Sequence, residues 1–183
     1  MKQIHFLAVA GISMAAWLTG CADFTVAPPA AIPDALKVPD GQTLTLKTQA
    51  SGVQIYQCRA AKDDATRFEW ALKAPEASLT DDMGNAVGKH YAGPSWEAID
   101  GSKVVGEVKA RDQGPDPAAI PWLLLAAKSN SGSGIFSSVR YVQRLYTVAG
   151  KAPAEGCDAG HVDAEVRVAY KAAYYFYSAA PGP

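Results

Sequence analysis

Hydrophobic and polar residues alternate along most of this chain with a period of two, the repeat of a half-buried β-strand. Residues 43–48 place Leu44 and Leu46 on one face, and residues 53–58 place Val53 and Ile55 opposite Tyr56 and Cys58. Ser51-Gly52 predicts a break between these two strands. Residues 68–73 gather Phe68, Trp70 and Leu72; residues 75–88 are less regular, with a tight turn predicted at 82–85. Residues 103–110 alternate around Val104 and Val108. Residues 120–127 form a continuous apolar run in which Pro121 excludes a helix interior, so a strand is predicted. Residues 139–148 predict a long strand with Val142, Tyr146 and Val148 opposite Tyr141 and Leu145, and 129–134 a polar loop before it. Residues 164–177 close the pattern, with Val166, Val168, Tyr170, Ala172, Tyr174 and Phe176 sharing a face and Tyr175 and Tyr177 opposite. No stretch sustains a helical pattern for three turns. The expected fold is mainly β, a single-domain antiparallel β-sandwich or barrel with long loops.

The amino terminus follows a different rule. Lys2 precedes a largely apolar stretch, too short to span a bilayer comfortably, that ends in Leu18-Thr19-Gly20-Cys21. This motif resembles the bacterial lipobox, which implies cleavage after Gly20 and lipidation of Cys21. The expected organisation is a lipoprotein signal peptide at 1–20, a Pro/Ala-rich tether at 21–39, a β domain at 40–178 and a frayed tail at 179–183. Within the tether, residues 32–36 could form a single turn on the domain. Each acyl methylene buried contributes about 0.8 kcal/mol, so the membrane becomes a partner through Cys21 alone. Ala22 rather than aspartate follows the cysteine, which favours an outer-membrane address facing the periplasm.

Cys58 and Cys157 are then an even pair in an oxidising compartment, and a disulfide is expected between them. The net charge of −1 gives no reason to expect nucleic acid as a partner.

Several motifs carry a family resemblance: Val53-Gln-Ile-Tyr-Gln-Cys58, Gly88-Lys-His-Tyr-Ala-Gly-Pro-Ser-Trp-Glu97, Pro121-Trp-Leu-Leu124, Tyr141-Val-Gln-Arg-Leu145 and Tyr174-Tyr-Phe-Tyr177. In this order they resemble the bacterial and fungal family numbered 3455 among the domains of unknown function, over about residues 34–177. The resemblance implies no activity, ligand or catalytic residue.

The residues themselves offer no catalytic set. Gly132-Ser-Gly134 lacks the third glycine and the strand–helix context of a dinucleotide site, so no cofactor is expected. His90 and His161 with Asp158 or Glu97 have no metal-ligand spacing, and Asp81, Asp82 and Asn85 lack the acidic ladder of a calcium loop. Ser95 is not in a nucleophile elbow, and His90, Ser95 and Asp100 are too close in sequence to converge as a triad. The candidates for binding a small molecule or a protein are His90, Tyr91, Trp96, Glu97 and Trp122, with Arg140 or Arg144 fixing polar groups. The competing reading is that the aromatics plug the core. Three functions follow: a binding or envelope-interaction module, an envelope enzyme using His90 and Glu97 as acid and base, or a purely structural domain. They differ in whether His90, Trp96 and Glu97 line a solvent-open cleft.

Overall fold

A computed structural model describes residues 27–180; the expected signal peptide and the expected lipidation site, Cys21, lie outside the described residues. The described residues form eight antiparallel strands: β1 (Gln42–Ala60), β2 (Phe68–Thr80), β3 (Ala86–Tyr91), β4 (Ser95–Ala98), β5 (Lys103–Asp112), β6 (Trp122–Ser131), β7 (Val139–Ala149) and β8 (Glu165–Ala179). Each pairs with the next, and β8 returns to pair with β1 along Gln42–Gln57. Of the two expected architectures the protein is the closed barrel.

The single long β1 replaces two predicted strands. Gly52 does not break it, because its missing side chain serves a close approach. A Cβ there would lie 2.5 Å from the Ala77 Cα and 2.1 Å from the Glu76 carbonyl oxygen, so β2 can cross tightly. The register shifts at Ile55/Tyr56 and again at Leu44/Leu46, irregularities that bend a long strand around a barrel. β2 likewise runs through Pro75, and β6 begins at Trp122 and continues to Ser131 through part of the predicted polar loop. The turn after β2 forms as expected, with Asp81 Oδ1 accepting from the amides of Met83 and Asn85.

Alternation sorts the side chains by face. Leu79, Trp96, Val104, Leu125, Val142, Tyr174 and Phe176 fill the interior. Phe136, fully buried, plugs one end, where Asp100 Oδ2 accepts from the Ile135 amide and Ser102 Oγ from the Phe136 amide. Outward positions such as Glu76, Lys89, Glu107 and Lys109 carry charge and pair with neighbours. That is the reverse of a membrane barrel, whose outer band is apolar.

One sector of the outer wall is apolar, and the chain covers it itself. A short 3-10 turn at Asp34–Leu36 inserts the fully buried Leu36 among Leu145, Ala173, Tyr175 and Tyr177. Buried Gln143 locks this strap: its Nε2 donates to the Leu36 carbonyl at 2.6 Å, and its Oε1 accepts from the Tyr177 hydroxyl at 2.7 Å. Tyr146 sits in the left-handed region (φ 50°) at the irregularity between Leu145 and Val148. Its ring therefore joins Trp122 and Tyr175 on the outer face rather than Val142 inside, and its hydroxyl donates to Ala30. Part of the predicted tether is thus packed structure.

Cys58 and Cys157 form the expected disulfide, with Cα atoms 5.3 Å apart and a sequence separation of 99. The bridge sits where the β1–β8 ladder ends: the Cys58 amide donates to Ala164 and the Asp163 amide to Cys58.

If the strap contributes to folding, Leu36→Ala should lower stability by about 2–5 kcal/mol in urea unfolding. A change within the ~0.5 kcal/mol typical of surface positions would show that the segment is a free tether.

Candidate functional site

The chemically dense stretch 88–97 is the β3–β4 hairpin. Its turn, Ala92-Gly93-Pro94, needs Gly93 at φ 99°, a region L side chains rarely adopt, and Ser95 Oγ closes it by donating to the Ala92 carbonyl at 3.0 Å. Across the ladder Lys89 faces Glu97, His90 faces Trp96 and Tyr91 faces Ser95. The pleat then splits the predicted site in two. His90 and Trp96 point into the barrel, 2% and 1% exposed, whereas Tyr91 and Glu97 point out.

Inside, the His90 and Trp96 rings stack with centroids 4.6 Å apart at 16°, and Trp96 meets Tyr174 and Phe176 edge-on. His90 Nδ1 lies 2.8 Å from the Ser95 carbonyl oxygen. A carbonyl only accepts, so Nδ1 carries the proton and Nε2 is a bare acceptor. Burial pushes the imidazole pKa down to about 3, against the opposing effect of the Ser95 bond, and the nearby Arg144 charge lowers it further.

Outside, the Tyr91 hydroxyl donates to Glu97 Oε2 at 2.6 Å and Lys89 reaches Oε1 at 3.2 Å. These contacts, the Tyr91 bond foremost, hold the carboxyl below its ordinary range, while the same bond raises the Tyr91 hydroxyl. His90 and Glu97 therefore do not meet as an acid–base pair. Ser95 and Asp100 are also engaged elsewhere, with the Ala92 carbonyl and with Ser102 and Ile135. Trp122 belongs to a third place, the outer face near the strap. Asp158 accepts from Gly160 and His161 within a local 3-10 turn (Ala159–His161). Among the described residues no three His, Cys, Asp or Glu side chains gather.

The hairpin's shortness has a consequence for the wall. β2 pairs with β3 only from Ala77 onward, and β5 pairs with β4 only through Val105. Residues 72–75 of β2 and 107–111 of β5 therefore stand beyond Gly93-Pro94, whose last link to β5 is the Gly106 amide donating to the Pro94 carbonyl, with no strand between them. A cavity of about 280 Å³ opens at this notch, lined among others by Gln54, His90, Trp96, Leu123, Arg144 and Tyr174.

Among the described residues, three lining groups are buried and lack a hydrogen-bond partner: Gln54 Nε2, Trp96 Nε1 and the Tyr174 hydroxyl. Tyr174 lies beside Arg144 and beside Tyr170, whose own buried hydroxyl is likewise unpaired, and burial raises the Tyr174 pKa against the opposing effect of both neighbours. Arg144 enters from β7, inward beside Val142, and donates through Nε (3.2 Å) and Nη2 (2.8 Å) to the Pro121 carbonyl, which fixes the guanidinium plane. Arg140, by contrast, is exposed. Gln54 and Tyr174 were not singled out by sequence. Their signal was available in part, as polar groups at inward positions of otherwise apolar strands.

The unfolded imidazole of His90 binds a proton near pH 6.5, and the folded one stays neutral to about pH 3. In that window the unfolded state holds more protons, so stability falls as the pH falls, by up to about 1.4 kcal/mol per unit. His90→Asn keeps a donor for Ser95 and removes the titration. The stability gap between wild type and variant should narrow from pH 7 toward pH 3 in denaturant unfolding; parallel curves would refute a buried neutral histidine.

No curated protein and no solved structure matches the chain. The model of the family described as protein of unknown function (DUF3455) matches residues 39–178, from just before β1 almost to the end of β8. The chain belongs to that family.

Proposed function

We propose that this protein is a lipid-anchored binding module of the bacterial envelope, held in the outer membrane through Cys21 with its barrel toward the periplasm. Its site is the barrel interior, reached through the notch above the β3–β4 hairpin. The observation that carries this reading is the set of buried, unpartnered polar atoms on Gln54, Trp96 and Tyr174 around a cavity of about 280 Å³. Buried polar groups in folded proteins are nearly all hydrogen-bonded, and each one left unmade costs about 1–3 kcal/mol. Had these positions served packing alone, apolar residues of the same shape would cost less. An eight-stranded barrel is wide enough to hold one small ligand. The lipobox-like Leu18-Thr19-Gly20-Cys21 supports the anchor, and the Cys58–Cys157 disulfide suits an oxidising compartment.

Two measurements test the parts separately. The neutral fluorophore N-phenyl-1-naphthylamine should brighten on binding the wild-type barrel and not Val108→Trp, which blocks the notch from a half-buried position. Equal brightening with a folded Val108→Trp would sink the cavity. Cys21→Ala should move the protein from the membrane fraction to the soluble periplasm, and unchanged fractionation would refute the anchor.

A further inference from the structure

Every charged side chain lining the cavity is a cation: Lys73, Arg111 and Arg144. Lys73 is neutralised by Glu165. Arg111 and Arg144 form no ion pair among the described residues. Arg111 pairs in register with the inward Leu123, which places it on the inner side of the rim. Arg144 is deeper and half-buried, where an uncompensated charge is costly. Its position is not accidental slack, because the Pro121 carbonyl engages one edge of the guanidinium and leaves Nη1 uncommitted.

The unpartnered atoms around it are of matching kind. An indole N–H can only donate, the Gln54 Nε2 amide only donates, and the Tyr174 hydroxyl has a proton to give. His90 adds one bare but neutral acceptor, Nε2, and no lining side chain among the described residues offers negative charge to the unpaired guanidinium. The remaining walls are apolar, formed by Leu72, Pro94, Trp96, Val108, Leu123 and Leu125. At about 280 Å³ the cavity lies at the small end of ligand pockets.

We propose, building on the binding reading above, that the ligand is a small monocarboxylate with an aromatic or compact apolar body, benzoate to indole-3-acetate in size. Arg144 receives the carboxylate through Nη1, Gln54 and Tyr174 supply further donors, and the body lies along Trp96 and Leu123. Arg111 at the rim favours entry of anions over cations.

The test compares indole-3-acetate and phenylacetate with their neutral amides by calorimetry on the wild-type barrel. Each carboxylate should bind at least about tenfold tighter than its amide, because charge-assisted bonds to a guanidinium are the strong ones. Arg144→Met should reduce the acid-to-amide preference to within about twofold, and Arg144→Lys should retain part of it. Should Arg144→Met not fold, the wild-type ratio and its fall with added salt still decide the matter. Equal binding of acid and amide overturns the carboxylate assignment and leaves the binding reading intact. So does binding of N-phenyl-1-naphthylamine with no binding of either acid. If the neutral fluorophore fails as well, the binding reading falls and takes the assignment with it.

Discussion

The seam between β1 and β8 is the contact on which everything else depends. It joins residues 42–57 to residues 165–179, the two ends of the domain, and without it the remaining strands form an open sheet with two unsatisfied edges. Closing it draws together chain segments separated by more than a hundred residues, against a loop entropy no local contact offsets. The seam is reinforced on both sides. At one end the Cys58–Cys157 bridge ties the chain just where the ladder stops, and along the outer face the strap covers β8 with Leu36. β8 is accordingly buried on both faces, with Tyr174 and Phe176 inside and Tyr175 and Tyr177 outside.

The same pleat that builds the barrel decides what its chemistry can be. Neighbouring residues on a strand serve opposite environments, so the histidine and tryptophan of the hairpin became interior groups while the tyrosine and glutamate became a surface ion cluster. The interior is unusual in keeping Gln54, Arg144 and Tyr174 in a space that apolar residues could fill. Their presence makes sense once β3 and β4 are seen to be too short to complete the wall.

Much of this was legible in the sequence, and the reasons are local. Alternation located most strands, and it sorted β8 correctly, because a period-two pattern needs only neighbours to read. Cysteine parity found the bridge. What escaped depended on non-local geometry. Gly52 reads as a breaker until β2 is known to cross there, and the irregularity at Leu145/Val148 shifts Tyr146 to the other face. Stretch 88–97 reads as one site because its residues are close in sequence, whereas the hairpin deals them alternately to two faces. The notch is a difference in strand lengths, visible only in the register with β2 and β5. Arg144 illustrates the same limit: it was readable as a polar contact, but its inward placement against Pro121 follows from barrel closure.

The strap also separates two notions of where this domain begins. The family match starts at residue 39, just past Leu36. A chain trimmed to that boundary keeps all eight strands and both cysteines of the bridge. It nevertheless bares Leu145, Tyr175 and Tyr177 on an otherwise polar wall and strips the Gln143 amide of its carbonyl partner. Such a fragment presents a contiguous apolar face, the kind that drives self-association. The unit that can be recognised is therefore shorter than the unit whose apolar wall is covered.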